Sequence, residues 1–308
     1  MSKENIKIGL AYVLICLLWG STWMVIRIGL ETLTPMIYAG TRFLLASIFI
    51  YIIMRMRGTK LQKDKASLNL YWIMGIFSFV IPFWLVYWAE QFIPSGLTSI
   101  IFAVYPFFVI IFTRIIIKDE KIGPYKIIGV LLGFLGIIII FMRDISIDFS
   151  SSFWGMLAIL SSAVIQAAIA VIIKKYGKHL NPLSMNFVPV LLGGTIMVIL
   201  GFIAEDYTTW IFNQQAILSI AYLAFFGTVV TFTTFYWLMQ RISVVILSLS
   251  TFITPIIAVF LGWFILHEKL SALTLLGSSL VLIGILFANF RGLKNYFLSR
   301  HKKVQNTV

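Results

Sequence analysis

Charge, cysteine and histidine are all scarce in this chain. Asp and Glu together number 11 and His 3 among 308 residues, and 11% of positions are charged, against about 25% in an average soluble protein. Cys16 is the single cysteine, which excludes an internal disulfide and any multi-cysteine metal site. His179, His267 and His301 fall in expected loops or in the tail, so no histidine cluster offers a metal site. No glycine-rich loop ends in Lys-Ser or Lys-Thr to cradle a nucleotide phosphate. Neither a cofactor nor a metal is expected, and catalysis finds little support. Glu120 and Glu268 open loops at opposite faces, near the N-terminal ends of the expected fifth and tenth spans, where a carboxylate meets the positive end of a helix dipole.

What fills the chain instead is apolar: 60% of residues, with 27 Phe and 9 Trp. A membrane helix needs about 20 mostly apolar residues, and ten stretches qualify: 8–28, 36–54, 70–90, 96–117, 124–142, 153–173, 184–204, 216–239, 244–265 and 272–290. Continuous apolar runs exclude a barrel, whose strands alternate polarity over about 10 residues. The first run is too long for a signal-peptide core and no small-residue cleavage site closes it, so it reads as a span. Thr34-Pro35, Arg57-Gly58, Pro94, Gly123-Pro124, Gly177, Asn181-Pro182 and Asn213 punctuate the runs. The expected fold is an all-α integral membrane protein of ten transmembrane helices.

The net charge of +13 would point to nucleic acid in a polar chain, but its placement points to a bilayer. With the N-terminus cytoplasmic, all of the 24 Lys and Arg except Arg27, Arg42, Arg143 and Lys269 fall on the cytoplasmic side. This positive-inside pattern places both termini in the cytoplasm of a multi-pass protein of the cell membrane, with the bilayer and a small-molecule substrate as partners and no nucleic acid. The basic tail, 291–308, has the charge to touch anionic lipid.

The chain also repeats itself. Tyr87, Trp88, Gln91, Ile93, Ser99 and Pro106 recur in register as Tyr236, Trp237, Gln240, Ile242, Ser248 and Pro255. After a one-residue slip, Glu120-Lys121, Gly129 and Gly136 recur as Glu268-Lys269, Gly277 and Gly284, while Arg27 and Pro35 match Lys174 and Pro182. Two repeats follow, 8–142 and 153–290. Five spans in each make the second enter the membrane from the opposite side, the inverted arrangement of carriers that alternate around a midplane cavity.

Trp19-Gly20-Ser21-Thr22, Pro35 with Arg42-Phe43, Ala89-Glu90-Gln91 before Ser95-Gly96, and the Pro-to-Glu-to-Gly pattern of both halves resemble the drug/metabolite transporter superfamily, in its EamA-type branch with two tandem five-helix domains. The resemblance spans about residues 8 to 290, although the sixth span carries no counterpart of Trp19-Gly20. It implies a ten-helix carrier, usually an exporter of amino acids or related small metabolites. Multidrug efflux is one alternative. A membrane-embedded enzyme acting on lipid or isoprenoid substrates is another, and it would need clustered Asp, Glu or His near one face.

Few side chains at membrane depth carry chemistry. Trp19, Trp23 and Arg27 recur at every fourth position and share one stripe of the first helix. Arg42 lies roughly 9 Å below the outer lip of the second span. Tyr105 with Pro106 interrupts the fourth span, and Gln166 sits near the middle of the sixth. Trp19, Trp23, Arg42, Tyr105 and Gln166 are the cavity candidates, with interhelical hydrogen bonding or snorkelling as the competing readings. Arg27 and Glu90 form a candidate charge cluster at the external side. The boxes Tyr87-Trp88-x-x-Gln91 and Tyr236-Trp237-x-x-Gln240 are candidate gates whose amides would bond across the cavity, the competing reading being an interfacial aromatic belt. No Asp or Glu occupies the middle third of any span, so a midplane proton carrier is absent. Gly129, Gly133, Gly136 and Gly193-Gly194 read as packing positions.

Overall fold

The structure is a computed structural model that describes residues 3–117, 124–145, 151–248, 250–273, 275–284 and 286–287. Eight helices are long and apolar enough to cross a membrane: α1 (Lys3–Gly29), α2 (Pro35–Met56), α3 (Lys65–Ala89), α4 (Ser95–Ile116), α6 (Ser151–Tyr176), α7 (Pro182–Ala204), α8 (Gln214–Met239) and α9 (Val244–Leu266). Two more helical stretches, α5 (Pro124–Ile145) and α10 (Leu275–Gly284), lie where the fifth and tenth spans are expected. No strand occurs among the described residues. Glu120 and the basic tail lie outside them.

The turn signals mark helix starts for identifiable reasons. Proline occupies the first position of α2 and α7, where a missing N–H costs nothing. Asp64, Asn181 and Asn213 cap α3, α7 and α8 by accepting from Ser67 N (3.0 Å), Leu183 N (2.9 Å) and Ala216 N (2.8 Å). Gly58 closes α2 at φ +61°, a left-handed conformation that glycine adopts without a Cβ clash. The helices run past the apolar limits read from sequence, since charged residues such as Lys3, Arg55 and Lys174 continue them into the polar zone.

Two irregularities shape the interior. Both α3 and α8 contain a six-residue π-helical turn, at Gly75–Val80 and Phe225–Val230. The chain of α4 breaks into Ser95–Phe102 and Tyr105–Ile116, because Pro106 has no N–H for the Phe102 carbonyl.

Packing runs mostly between the halves of the chain. The most extensive helix pairing is α2 with α7, followed by α6 with α3 and α4, α1 with α8 and α9, and α9 with α4. Glycines let helix backbones approach closely at several of the positions read as packing sites: a Cβ on Gly136 would lie 2.5 Å from the Gly277 carbonyl, and one on Gly194 2.8 Å from Leu44 N. Leu10, Phe202, Ile203 and Trp263 are among the many large apolar side chains that face outward, an exposure that suits lipid and not water.

Candidate substrate cavity

A cavity of about 110 Å³ lies among α1, α2, α3, α4, α6, α8 and α9, room for several waters or a small organic group. Trp19, Trp23, Arg42, Tyr105 and Gln166 all line it. Its walls are otherwise Phe83, Phe102, Phe232, Phe235 and Tyr236, with Thr22, Ser250, Thr251 and Thr254 as small polar members. No carboxylate, histidine or cysteine belongs to the lining.

Arg42 does not snorkel. Its side chain is 1% exposed and turned inward. Nε donates to Thr228 Oγ1 (3.0 Å), Nη1 to the Tyr87 hydroxyl (2.8 Å) and Nη2 to the Gly227 carbonyl (3.0 Å). The guanidinium also lies 5.2 Å from the ring centres of Phe43 and Phe83, within cation–π range. Gly227 and Thr228 both lie in the π turn of α8, which faces α2 at this point. A guanidinium has five N–H donors, so two remain for a guest, and none of its hydrogen-bond partners is an acid.

Gln166 makes an interhelical hydrogen bond and also lines the cavity. Pro82 lacks the N–H that would meet the Ser78 carbonyl four residues back, and Gln166 Nε2 donates there at 3.2 Å. One N–H and the amide oxygen remain on the cavity side. Trp19 packs edge-on to Phe232 at 5.5 Å, and Trp23 packs on Phe102 at 5.4 Å. Trp23 Nε1 is buried without an acceptor among the described residues, a donor available to a guest.

The two aromatic boxes divide. Tyr236 lines the cavity and Tyr87 stands behind Arg42, but Trp88 packs on Phe92 (5.0 Å) and Trp237 under the Arg241 guanidinium (4.0 Å). The expected amide bonds across the cavity are not formed. Gln91 Nε2 donates to Trp88 O (3.2 Å) and Gln240 Nε2 to Leu180 O (2.8 Å). The reason is local: α3 ends at Ala89 and α8 at Met239, so both glutamines sit past the helix end, where carbonyls need donors.

The Arg27–Glu90 cluster also differs from a side-chain pair. Arg27 donates to the backbone carbonyl of Glu90, while both Glu90 carboxyl oxygens are buried without a hydrogen-bond partner among the described residues. Glu268 caps α4 and not the tenth span, accepting from Ser95 N (2.8 Å), Ser95 Oγ (2.8 Å) and Gly96 N (3.0 Å). Glu205 does the same for α2, accepting from Met36 N (2.7 Å), Ile37 N (3.0 Å) and Thr34 Oγ1 (2.6 Å).

The EamA-like transporter family matches this chain twice, over residues 7–142 and 153–290. The chain belongs to that family. Among its relatives are the uncharacterized transporter YoaV of Bacillus subtilis (27% identical over 286 residues, 92% of this chain and 97% of YoaV) and protein PagO of Salmonella typhimurium (30% over 282 residues, 92% of each). The uncharacterized inner membrane transporter YedA of Escherichia coli K12 is 29% identical over 274 residues, covering 87% of this chain and 86% of YedA. One crystal structure shares the fold at a TM-score of 0.70 and 16% identity, over 92% of this chain and 98% of its own. This EamA-like protein is thus a multi-pass membrane transporter of the drug/metabolite type. Sequence reasoning missed Thr22, Phe83, Phe232, Phe235 and the Ser250–Thr254 group. Thr251 four residues before Pro255 was the available signal, since that proline has no N–H for the Thr251 carbonyl, which accepts from Thr254 Oγ1 instead (3.4 Å).

Proposed function

We propose that this EamA-like protein is a secondary transporter that exports a small organic metabolite from the cell by alternating access, and that its substrate pairs an apolar or aromatic body with one anionic group. The carrying observation is Arg42: a buried cation with two unspent donors, on the wall of a largely apolar, aromatic-rich cavity. Such a charge is costly at membrane depth, and a carboxylate or similar anion would both neutralise it and accept its free N–H groups. Amino acids and related compounds fall within this class.

Alternating access in this reading rests on ten spans arranged as two inverted five-helix repeats, with α5 and α10 as the fifth and tenth, and with both termini cytoplasmic. Several pairings support it. The π turns fall at matching places in α3 and α8. Arg27 of α1 donates to the carbonyl end of α3, and Lys174 of α6 donates to the Met239 and Ile242 carbonyls at the end of α8. Contacts of α1 with α9 and α8 are mirrored by those of α6 with α4 and α3.

The test is counterflow into proteoliposomes with a labelled panel of aromatic and aliphatic carboxylates, neutral amides and lipophilic cations. Saturable exchange confined to carboxylates is expected, and it should disappear in Arg42→Met. Transport of cations alone would favour multidrug efflux. The lipid-modifying alternative has less to build on, because the cavity lining offers no acid or base.

A further inference from the structure

Glu90 is 0% exposed, and neither carboxyl oxygen has a donor. It stands one turn beyond Val86, a cavity-lining residue, and beside Arg27, whose neighbour Ile26 also lines the cavity. In the topology proposed above this is the external end of the molecule, where Glu205 and Glu268 hold the starts of α2 and α4. Among the described residues, four titratable groups interact with it electrostatically. They are Arg27 from α1, Tyr38 from α2, Tyr87 on its own helix and Glu268 from the turn after α9.

Their bonding states divide the charge. Glu268 accepts three hydrogen bonds at a helix N-terminus, the surroundings that favour a carboxylate. Arg27 gives one of its five N–H donors to the main-chain carbonyl of Glu90 and none to its carboxyl oxygens. One cation and one anion already balance. A second, unbonded carboxylate in the same buried space would stand uncompensated, and of two neighbouring carboxyls with unequal surroundings the one without donors keeps the proton.

We infer that Glu90 is a proton-binding site of the transport cycle: it carries a proton in this externally closed arrangement and exchanges it with external water when that end opens. On opening, the O–H bond breaks, water takes the proton as hydronium, and the carboxylate left behind is hydrated and free to pair with Arg27. External opening is therefore favoured by alkaline and opposed by acid external medium. The inference rests on the transporter reading for its topology, but its test uses no solute.

Infrared difference spectra of the full-length protein in lipid nanodiscs, wild type minus Glu90→Gln, should contain a protonated carboxylic-acid C=O stretch at pH 7. Absence of that band would overturn the inference. Glu90→Gln, which mimics the protonated acid, should melt with the wild type, whereas a large drop in melting temperature would mean that an ionised Glu90 holds the fold. Opening is read by labelling Val86→Cys with a membrane-impermeant thiol reagent from outside. Cys16 is buried and serves as background. Labelling of Val86→Cys relative to Val86→Cys/Glu90→Gln should climb with external pH, by up to about tenfold per unit for one coupled proton, and the ratio removes the thiol's own titration. A ratio that stays flat would sink the inference. If the band and the pH-dependent ratio appear while no solute moves, the proton site stands and the transport reading falls.

Discussion

At the scale of single residues, Arg42 is where chemistry and fold meet. Its three hydrogen bonds use the planar fork of a guanidinium, and lysine, a point charge on a flexible stem, cannot reproduce them. Arg42→Lys should therefore keep the charge and still lose at least about tenfold in substrate affinity, about 1.4 kcal/mol, as measured by counterflow half-saturation. Arg42→Met removes a costly buried charge but leaves the Tyr87 hydroxyl and the Gly227 carbonyl without their donor, about 1–3 kcal/mol each, so it should still fold, with a lower melting temperature than the wild type. Asp64 gives a second prediction, outside the spans. The Ser67 hydroxyl and then the Ser67 N–H hold its carboxyl below the usual range. A carboxyl lowered on folding stabilises fully above its unfolded value of about 3.9 and loses that contribution as pH falls through the folded value. Acid fraying at the start of α3, followed by hydrogen exchange of the Ser67 amide, should thus begin below about pH 4 and be absent in Asp64→Asn. Arg42 was legible in the sequence because a charge so deep in an apolar run has few reasons to exist. Its partners Thr228 and Gly227 were not, because nothing local marks a hydroxyl or a carbonyl in α8 as facing α2.

At the scale of helices, the caps and crossings carry the argument. Glu205 and Glu268 reach across the molecule to the N-termini of α2 and α4, and Glu268→Gln replaces a charged acceptor by an amide that must turn an N–H toward a donor. A loss of about 1 kcal/mol is expected, within the range for helix caps, and should appear as a lower melting temperature in detergent. The same substitution at Glu205 should act additively, because the two caps share no partner. The crossing of α5 and α10 leaves no room for a side chain: Gly136→Val should displace the helices and reduce folded yield, whereas Gly9→Val, with nothing within 4 Å, should be silent. Helix starts were readable because proline, asparagine and aspartate act within three residues of their own position. The π turns were not: Gly75–Val80 and Phe225–Val230 are ordinary apolar sequence, and their widening is decided by what packs on them.

At the scale of the whole molecule, the charge asymmetry and the two-fold sequence repeat make one topological prediction. Reporter fusions at the amino and carboxyl ends should both be cytoplasmic, and a reporter after Trp210 should be external. Ends on opposite faces would remove the inverted arrangement and the external assignment of Glu90 with it. Composition determined by itself that this chain is helical and lives in a bilayer, because 60% apolar residues in long runs cannot be hidden from water in any other way. The order of its motifs likewise determined the family. Only the tertiary structure decided that α2, α8 and α3 bring Arg42, Gly227, Thr228 and Tyr87 together, that Trp88 and Gln91 turn away from the cavity, and that Glu268 serves α4. The difference is physical. Transfer to lipid depends on what each residue is, summed along a segment, whereas a buried hydrogen bond depends on which distant carbonyl or hydroxyl the packing of helices sets within 3 Å of it.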